Sequence, residues 1–256
     1  MELRIFTRPG VAPPPEREWR PRWLAEFERW AAPALEPEQE EEQERSFVAV
    51  GVLLALALAV QYAQLWIPAV RAYLIERDIL YRAPWAGFTI VKQWALFVLM
   101  LLAMRMKDDR LAGIGFPTLD ARRIVVALGL TGFFLGAALL RTPAQALAGA
   151  SSHWMVPVWP GERALFVLLG LTVAIVEETF FRGFAIVWIY RWSGHLPLAV
   201  LFPAAVFAAG HAYMSWFNVG FAFLVAVGFS LLFLWRRDLY WLMVIHFLID
   251  VWSLLG

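Results

Sequence analysis

From residue 46 to the end of the chain, apolar runs follow one another at about 46–70, 88–104, 124–140, 164–190, 196–213, 216–235 and 239–255. Most of them reach the roughly 17–25 residues that a helix needs to cross the hydrocarbon core of a bilayer. Short polar breaks such as Arg105–Arg110 and Arg236–Asp238 separate them, and tryptophans near several ends (Trp66, Trp85, Trp188, Trp216, Trp235) suit the aromatic belts at the two membrane interfaces. The pattern predicts an all-α protein, a polytopic membrane helical bundle of about seven transmembrane helices. Composition agrees: 61% of the residues are hydrophobic, against roughly 45–50% in a soluble domain.

The chain divides at about residue 45. Residues 1–45 form a polar tail with seven arginines and with prolines at 9, 13–15, 21, 33 and 37, which forbid a long helix. Within it Trp19, Trp23, Phe27 and Trp30 recur at helical spacing, which reads either as an interfacial helix lying on the bilayer or as scattered aromatics in a disordered tail. The acidic run Glu36–Glu44 reads as a solvated spacer. The tail has no apolar signal region, so insertion is expected to be driven by the helices of the transmembrane domain, 46–256. Lysine and arginine are concentrated in the tail and in 105–123, with seven and five, against three and two in the loops that alternate with them across the membrane. The positive-inside rule then favours a cytoplasmic N-terminus and an external C-terminus, in the plasma (inner) membrane.

Other classes fall away on the same composition. A net charge of +1 and no basic cluster with interleaved aromatics give no footprint for nucleic acid. With no cysteine, disulfides, thiolate zinc sites and a cysteine nucleophile are excluded.

Against this apolar background the ionisable residues carry the chemistry. The fourth run contains Ile175-Val176-Glu177-Glu178-Thr179-Phe180-Phe181-Arg182-Gly183. A charge at mid-membrane costs about 2.5–3.5 kcal/mol even on a lenient scale, so these groups are expected to face a protein interior or a wet cavity. Glu178 and Arg182 are four apart and share a helical face in the order that favours an ion pair. Glu177 lies about 100° further round and lacks that partner, which leaves it available for general acid/base work. The three could equally form a packing network with no chemistry. The fifth run ends in Phe207-Ala208-Ala209-Gly210-His211, and the seventh contains His246-Phe247-Leu248-Ile249-Asp250, where the spacing of four sets Asp250 beside the imidazole. His153 and His195 fall in loops and read as surface residues. Convergence of Glu177, His211 and His246 would supply a base, a water-positioning group and an electrophilic donor, enough to hydrolyse an amide.

Glu177-Glu178-x-x-x-Arg182, Phe207-x-x-x-His211 and His246-x-x-x-Asp250, in that order and on three apolar helices, resemble the three-motif signature of the CAAX protease and bacteriocin-processing family of intramembrane endopeptidases. The resemblance covers about residues 110–256 and leaves 1–45 without a counterpart. It implies an active site inside the helical bundle and a membrane-associated protein or peptide as substrate, with no cofactor. By motif, it implies that Glu177 and His211 bind and activate water, that Glu178, Arg182 and Phe207 support them, and that His246 with Asp250 stabilises the oxyanion. In the eukaryotic CAAX enzymes the last position is Asn. An ionised Asp only accepts hydrogen bonds, so Asp250 is either protonated or orients His246 and leaves donation to the ring. Relatives process prenylated proteins, peptide precursors and C-terminal membrane anchors, and no residue here selects among them.

Two other readings remain open. His211, His246 and Asp250 could bind zinc with Glu177 as base, although the contiguous His-Glu-x-x-His helix is absent. Intramembrane Glu, Arg and His also build transport sites, and an immunity protein could keep the fold and act by binding.

Overall fold

The computed structural model describes residues 22–31, 82–105, 114–116, 160–212 and 216–255, with isolated positions between 51 and 73 and between 121 and 129. Among the described residues the fold is all-α, without strands. Six helices are bounded: α1 (Arg22–Ala31), α2 (Ala83–Arg105), α3 (Pro160–Ser193), α4 (Leu196–Ala209), α5 (Trp216–Arg236) and α6 (Leu239–Leu255). Of these, α2, α3 and α5 are long and apolar enough to cross a membrane, while α4 and α6 are apolar but shorter. Most of the runs at 46–70 and 124–140 lies outside the described residues, as does Trp19.

Local chemistry sets the ends. Pro160 opens α3 where its missing N–H costs nothing, and Gly194 closes it in the left-handed conformation at φ 66° with its N–H donated to Tyr190 O. Pro197 serves the first turn of α4 in the same way. Asp238 caps α6 by accepting the Tyr240 N–H at 3.1 Å. The fifth apolar run extends to about 213, but α4 ends at Ala209, and Gly210, His211 and Ala212 form a turn. Gly210 closes the helix by donating to carbonyls of the last turn, so His211 sits on a turn beyond the helix end.

Helix α3 packs along α2 and α6, and α4 packs along α5. Ala204 and Ala208 on α4 and Ala222 and Ala226 on α5 share one buried cluster, and small residues four apart let helix backbones approach closely without a hydrophobic drive from water. Phe180, Phe181, Phe184 and Trp188 of α3 fill the same cluster, with Leu96 and Met100 of α2. A second cluster brings in the N-terminal helix. The aromatic face of α1 turns onto the protein: Phe27 is fully buried against Tyr190, and Trp30 meets the edge of Phe233. Arg191 donates to the Ala31 carbonyl and Arg237 reaches Glu26 at 3.4 Å. That partner, followed by Arg22, holds the Glu26 carboxyl below the ordinary glutamate range.

Candidate active site

The middle of α3 is not an α-helix. After Glu177 the chain runs as a π-helix over Glu178–Ala185 before the α-helix resumes at Ile186. A π segment widens the turn and is common where side chains have been re-aimed for function. Two features hold it here. The Thr179 hydroxyl donates back to the Ile175 carbonyl at 2.6 Å, and Gly183 lets a neighbouring loop in: a Cβ there would stand 2.7 Å from the Ile114 carbonyl oxygen and 2.9 Å from Leu239 Cδ1. The same loop ties to α6, where the Leu239 N–H donates to Gly115 O at 2.9 Å. The glycine after Arg182 thus lets one loop brace both the π segment and the start of the helix that carries His246.

Four of the five ionisable groups the sequence singles out on α3 and α6 are joined directly. Arg182 Nη1 donates to Glu178 Oε1 at 2.9 Å, with both side chains almost wholly buried. The same oxygen lies 2.7 Å from His246 Nδ1, so Arg182, Glu178 and His246 form one chain across two helices. Asp250 Oδ2 stands 3.5 Å from His246 Nε2, an ion-pair distance rather than a hydrogen bond. The imidazole is therefore gripped more closely by Glu178, sixty-eight positions away, than by Asp250 one turn along its own helix.

Two aromatic rings complete the enclosure. The Arg182 guanidinium lies over Phe207 at 4.6 Å and over Phe229 at 5.4 Å, a placement favourable to a desolvated cation. Phe207 also faces His211 at 4.9 Å and His246 at 6.1 Å between ring centres, which joins the α4 turn to the cluster. His211 Nδ1 is 3.1 Å from the Phe207 carbonyl. A carbonyl only accepts, so Nδ1 carries the proton, and in the neutral ring Nε2 is left as an acceptor.

Glu177 has a different surrounding from its neighbour. Gln93 of α2 donates from Nε2 to Glu177 Oε1 at 2.8 Å, and His246 and Asp250 lie within electrostatic reach. The motifs did not reveal Gln93; its one signal in the sequence is an amide set, beside Lys92, in a largely apolar run. Tyr62 was missed as well. A Cβ at Gly210 would stand 2.7 Å from Tyr62 Cε1, so this glycine admits a ring from the first apolar run beside His211. Among the described residues no group of three or more His, Asp or Glu side chains is placed to hold a metal ion, and that includes His211, His246 and Asp250.

Residues 158–252 match the family model described as type II CAAX prenyl endopeptidase Rce1-like. This segment is similar to an Rce1-like domain. It holds α3 to α6 up to Trp252, hence Glu177, Glu178, Arg182, His211, His246 and Asp250, and leaves out α1 and α2. The likeness supports reading the chain as a peptidase of the CAAX-protease type, whose substrate is a membrane-associated peptide. With three helices able to span a bilayer, it is an integral membrane protein. No curated protein and no solved structure matches the chain.

Proposed function

We propose that the chain hydrolyses a peptide bond by glutamate- and histidine-activated water, without a metal, in a site enclosed by a bundle of about seven transmembrane helices. The observation that carries this reading is the contrast between two adjacent carboxylates. Glu178 is tied through one oxygen to the Arg182 guanidinium and to the His246 ring, while Glu177 is held by the neutral Gln93 amide and keeps an oxygen for proton transfer. Different surroundings for neighbouring acids commonly mark a division of roles.

The steps follow from the donors present. Water is held by Glu177 and by His211 Nε2, and its oxygen attacks the scissile carbonyl as Glu177 takes its proton. Negative charge then develops on the carbonyl oxygen. His246 donates Nδ1–H to Glu178, so it can also donate from Nε2 only as the doubly protonated ring. Such a ring stabilises the oxyanion, with Asp250 beside it as counter-charge. Glu177 returns the proton to the leaving amine as the C–N bond breaks. His246 is also engaged on Nδ1 by Glu178, which weighs against its use as a zinc ligand through that nitrogen.

The topology has support of its own. With the N-terminus inside and seven spans, the tail, the turn at Arg191 and the turn at Arg236–Asp238 all fall on the cytoplasmic side. Helix α1 touches both turns, through Arg191 to Ala31 and Arg237 to Glu26, so the three lie on one side of the bundle. The C-terminus would then be external and the membrane the plasma membrane.

The test is cleavage of a membrane-embedded reporter by purified protein, with metal content measured in parallel. Turnover should vanish in Glu177→Gln, a near-isosteric change that removes the base, and chelators should leave the wild type active. Stoichiometric zinc with chelator-sensitive, metal-restored activity would overturn the mechanism and leave the peptidase. Full activity in Glu177→Gln would overturn both.

A further inference from the structure

We infer that Gln93, on a helix outside the Rce1-like segment, is the positioning residue of the proposed base: its amide fixes the Glu177 carboxylate so that one oxygen faces the water. The inference rests on Glu177 being that base. Gln93 is 3% exposed, next to Lys92 in the middle of a largely apolar helix long enough to span a bilayer. A polar side chain in that position is costly unless its hydrogen bonds are made. Only half of them are. Nε2 donates to Glu177 Oε1 at 2.8 Å, while Oε1 of the amide is buried without a partner among the described residues. A glutamine kept for packing or for joining helices would be expected to satisfy both ends. This one is retained for a single bond, and that bond goes to Glu177.

The identity of the donor also fits the task. Arg182 shows what a cationic partner does to the neighbouring carboxylate: with His246 it claims one oxygen of Glu178 in a buried ion pair. The same arrangement at Glu177 would hold a base in its charged form and oppose proton uptake. A neutral amide sets the direction of the carboxylate plane without itself adding a charge to that oxygen; the nearby cation of α2, Lys92, lies within electrostatic reach of Glu177. With Oε1 of Glu177 engaged, Oε2 is the oxygen left for the water. Precise placement of a general base matters because a small misalignment of the reacting groups is felt directly in the rate. The bond also ties α2 to the middle of α3, at the residue immediately before the π segment.

Gln93→Leu removes the donor while keeping similar volume, and Gln93→Met serves as a second such variant where the first folds poorly. In the reporter assay kcat should fall on the order of 10–100-fold with KM within about twofold, the signature of an interaction made for the chemical step rather than for binding. The thermal midpoint should stay at or above that of the wild type, since a half-satisfied amide has been replaced by an apolar group. Infrared difference spectra give a readout independent of turnover. The carboxylate band of Glu177, assigned by its loss in Glu177→Gln, should shift in Gln93→Leu. Unchanged kcat in Gln93→Leu, with Glu177→Gln inactive, would overturn the role of Gln93 and leave the base in place. An unmoved band would overturn it too. Wild-type turnover in Glu177→Gln would instead remove Glu177 as base, and this inference with it.

Discussion

Replacing Arg182 by alanine should be among the most destabilising single changes in this protein, and the structure sets its size. The guanidinium is 2.9 Å from Glu178 Oε1, with side-chain exposures of 2% and 0%. Breaking a buried ion pair by deleting one partner typically costs about 3–5 kcal/mol, because the other charge is stranded. Here the stranding is partial: His246 Nδ1 remains 2.7 Å from the same oxygen, which points to the lower end, about 3 kcal/mol. Loss of the guanidinium from the Phe207 ring at 4.6 Å adds about 1 kcal/mol. The sum is a large share of the 5–15 kcal/mol that holds a typical domain folded, and in a chain of this size it lowers the thermal midpoint on the order of 10 °C. The assay is thermal unfolding of detergent-purified protein. Arg182→Lys, which keeps the charge and loses the planar fork, should fall between the two. Arg182→Met combined with Glu178→Gln removes both charges and should recover part of the loss. An Arg182→Ala protein that unfolds with the wild type would show that the pair does not carry this weight.

The proposed chemistry predicts that His246→Ala keeps a residual activity lower by on the order of 100–1,000-fold, the usual cost of one oxyanion donor, in the same reporter assay that should find Glu177→Gln inactive; wild-type turnover in His246→Ala would remove it from the site. Gly183→Ala should lower the thermal midpoint, because its methyl would meet the Ile114 carbonyl oxygen at 2.7 Å and backbone cannot swing aside, a strain of about 1–3 kcal/mol; an unchanged midpoint would refute the close packing. The Glu26 carboxyl is held low by Arg237 and then Arg22, so its stabilising effect is present above the ordinary glutamate range and is lost as pH falls through its lower folded value. Protection of α1 from protease should decline on acidification in the wild type, modestly for so exposed a pair, and this dependence should be absent in Glu26→Gln.

Several features were legible because they are local. The apolar runs are set by side-chain transfer alone, and those at 216–235 and 239–255 lie within a residue of α5 and α6. Glu178 and Arg182 could be paired on paper because a spacing of four places them on one face, a relation that survives the change of helix type between them. His246 and Asp250 are neighbours for the same reason, and in their case the local rule misled on strength: Glu178 approaches the ring more closely than Asp250 does. The aromatic stripe of α1 was visible as a stripe, but period alone does not say whether an apolar face meets lipid or protein.

By itself, then, the sequence determined which segments are apolar enough to be helices in a membrane, which residues are too polar to lie there without partners, and which of those share a helical face. Tertiary structure decided the partners. The bond from His246 to Glu178 spans sixty-eight positions and the bond from Gln93 to Glu177 spans eighty-four, and both depend on the lateral order and rotation of helices. Those are fixed by packing, by Gly183 under the Ile114 loop and by the alanines between α4 and α5, where shape rather than polarity discriminates. The π segment belongs to the same class. Its extra width is imposed by what surrounds α3, and no periodicity in Glu178–Ala185 announces it. A helix in lipid satisfies its own backbone, so its sequence reports its existence; its neighbours are chosen by the surfaces that meet, and only the assembled fold records that choice.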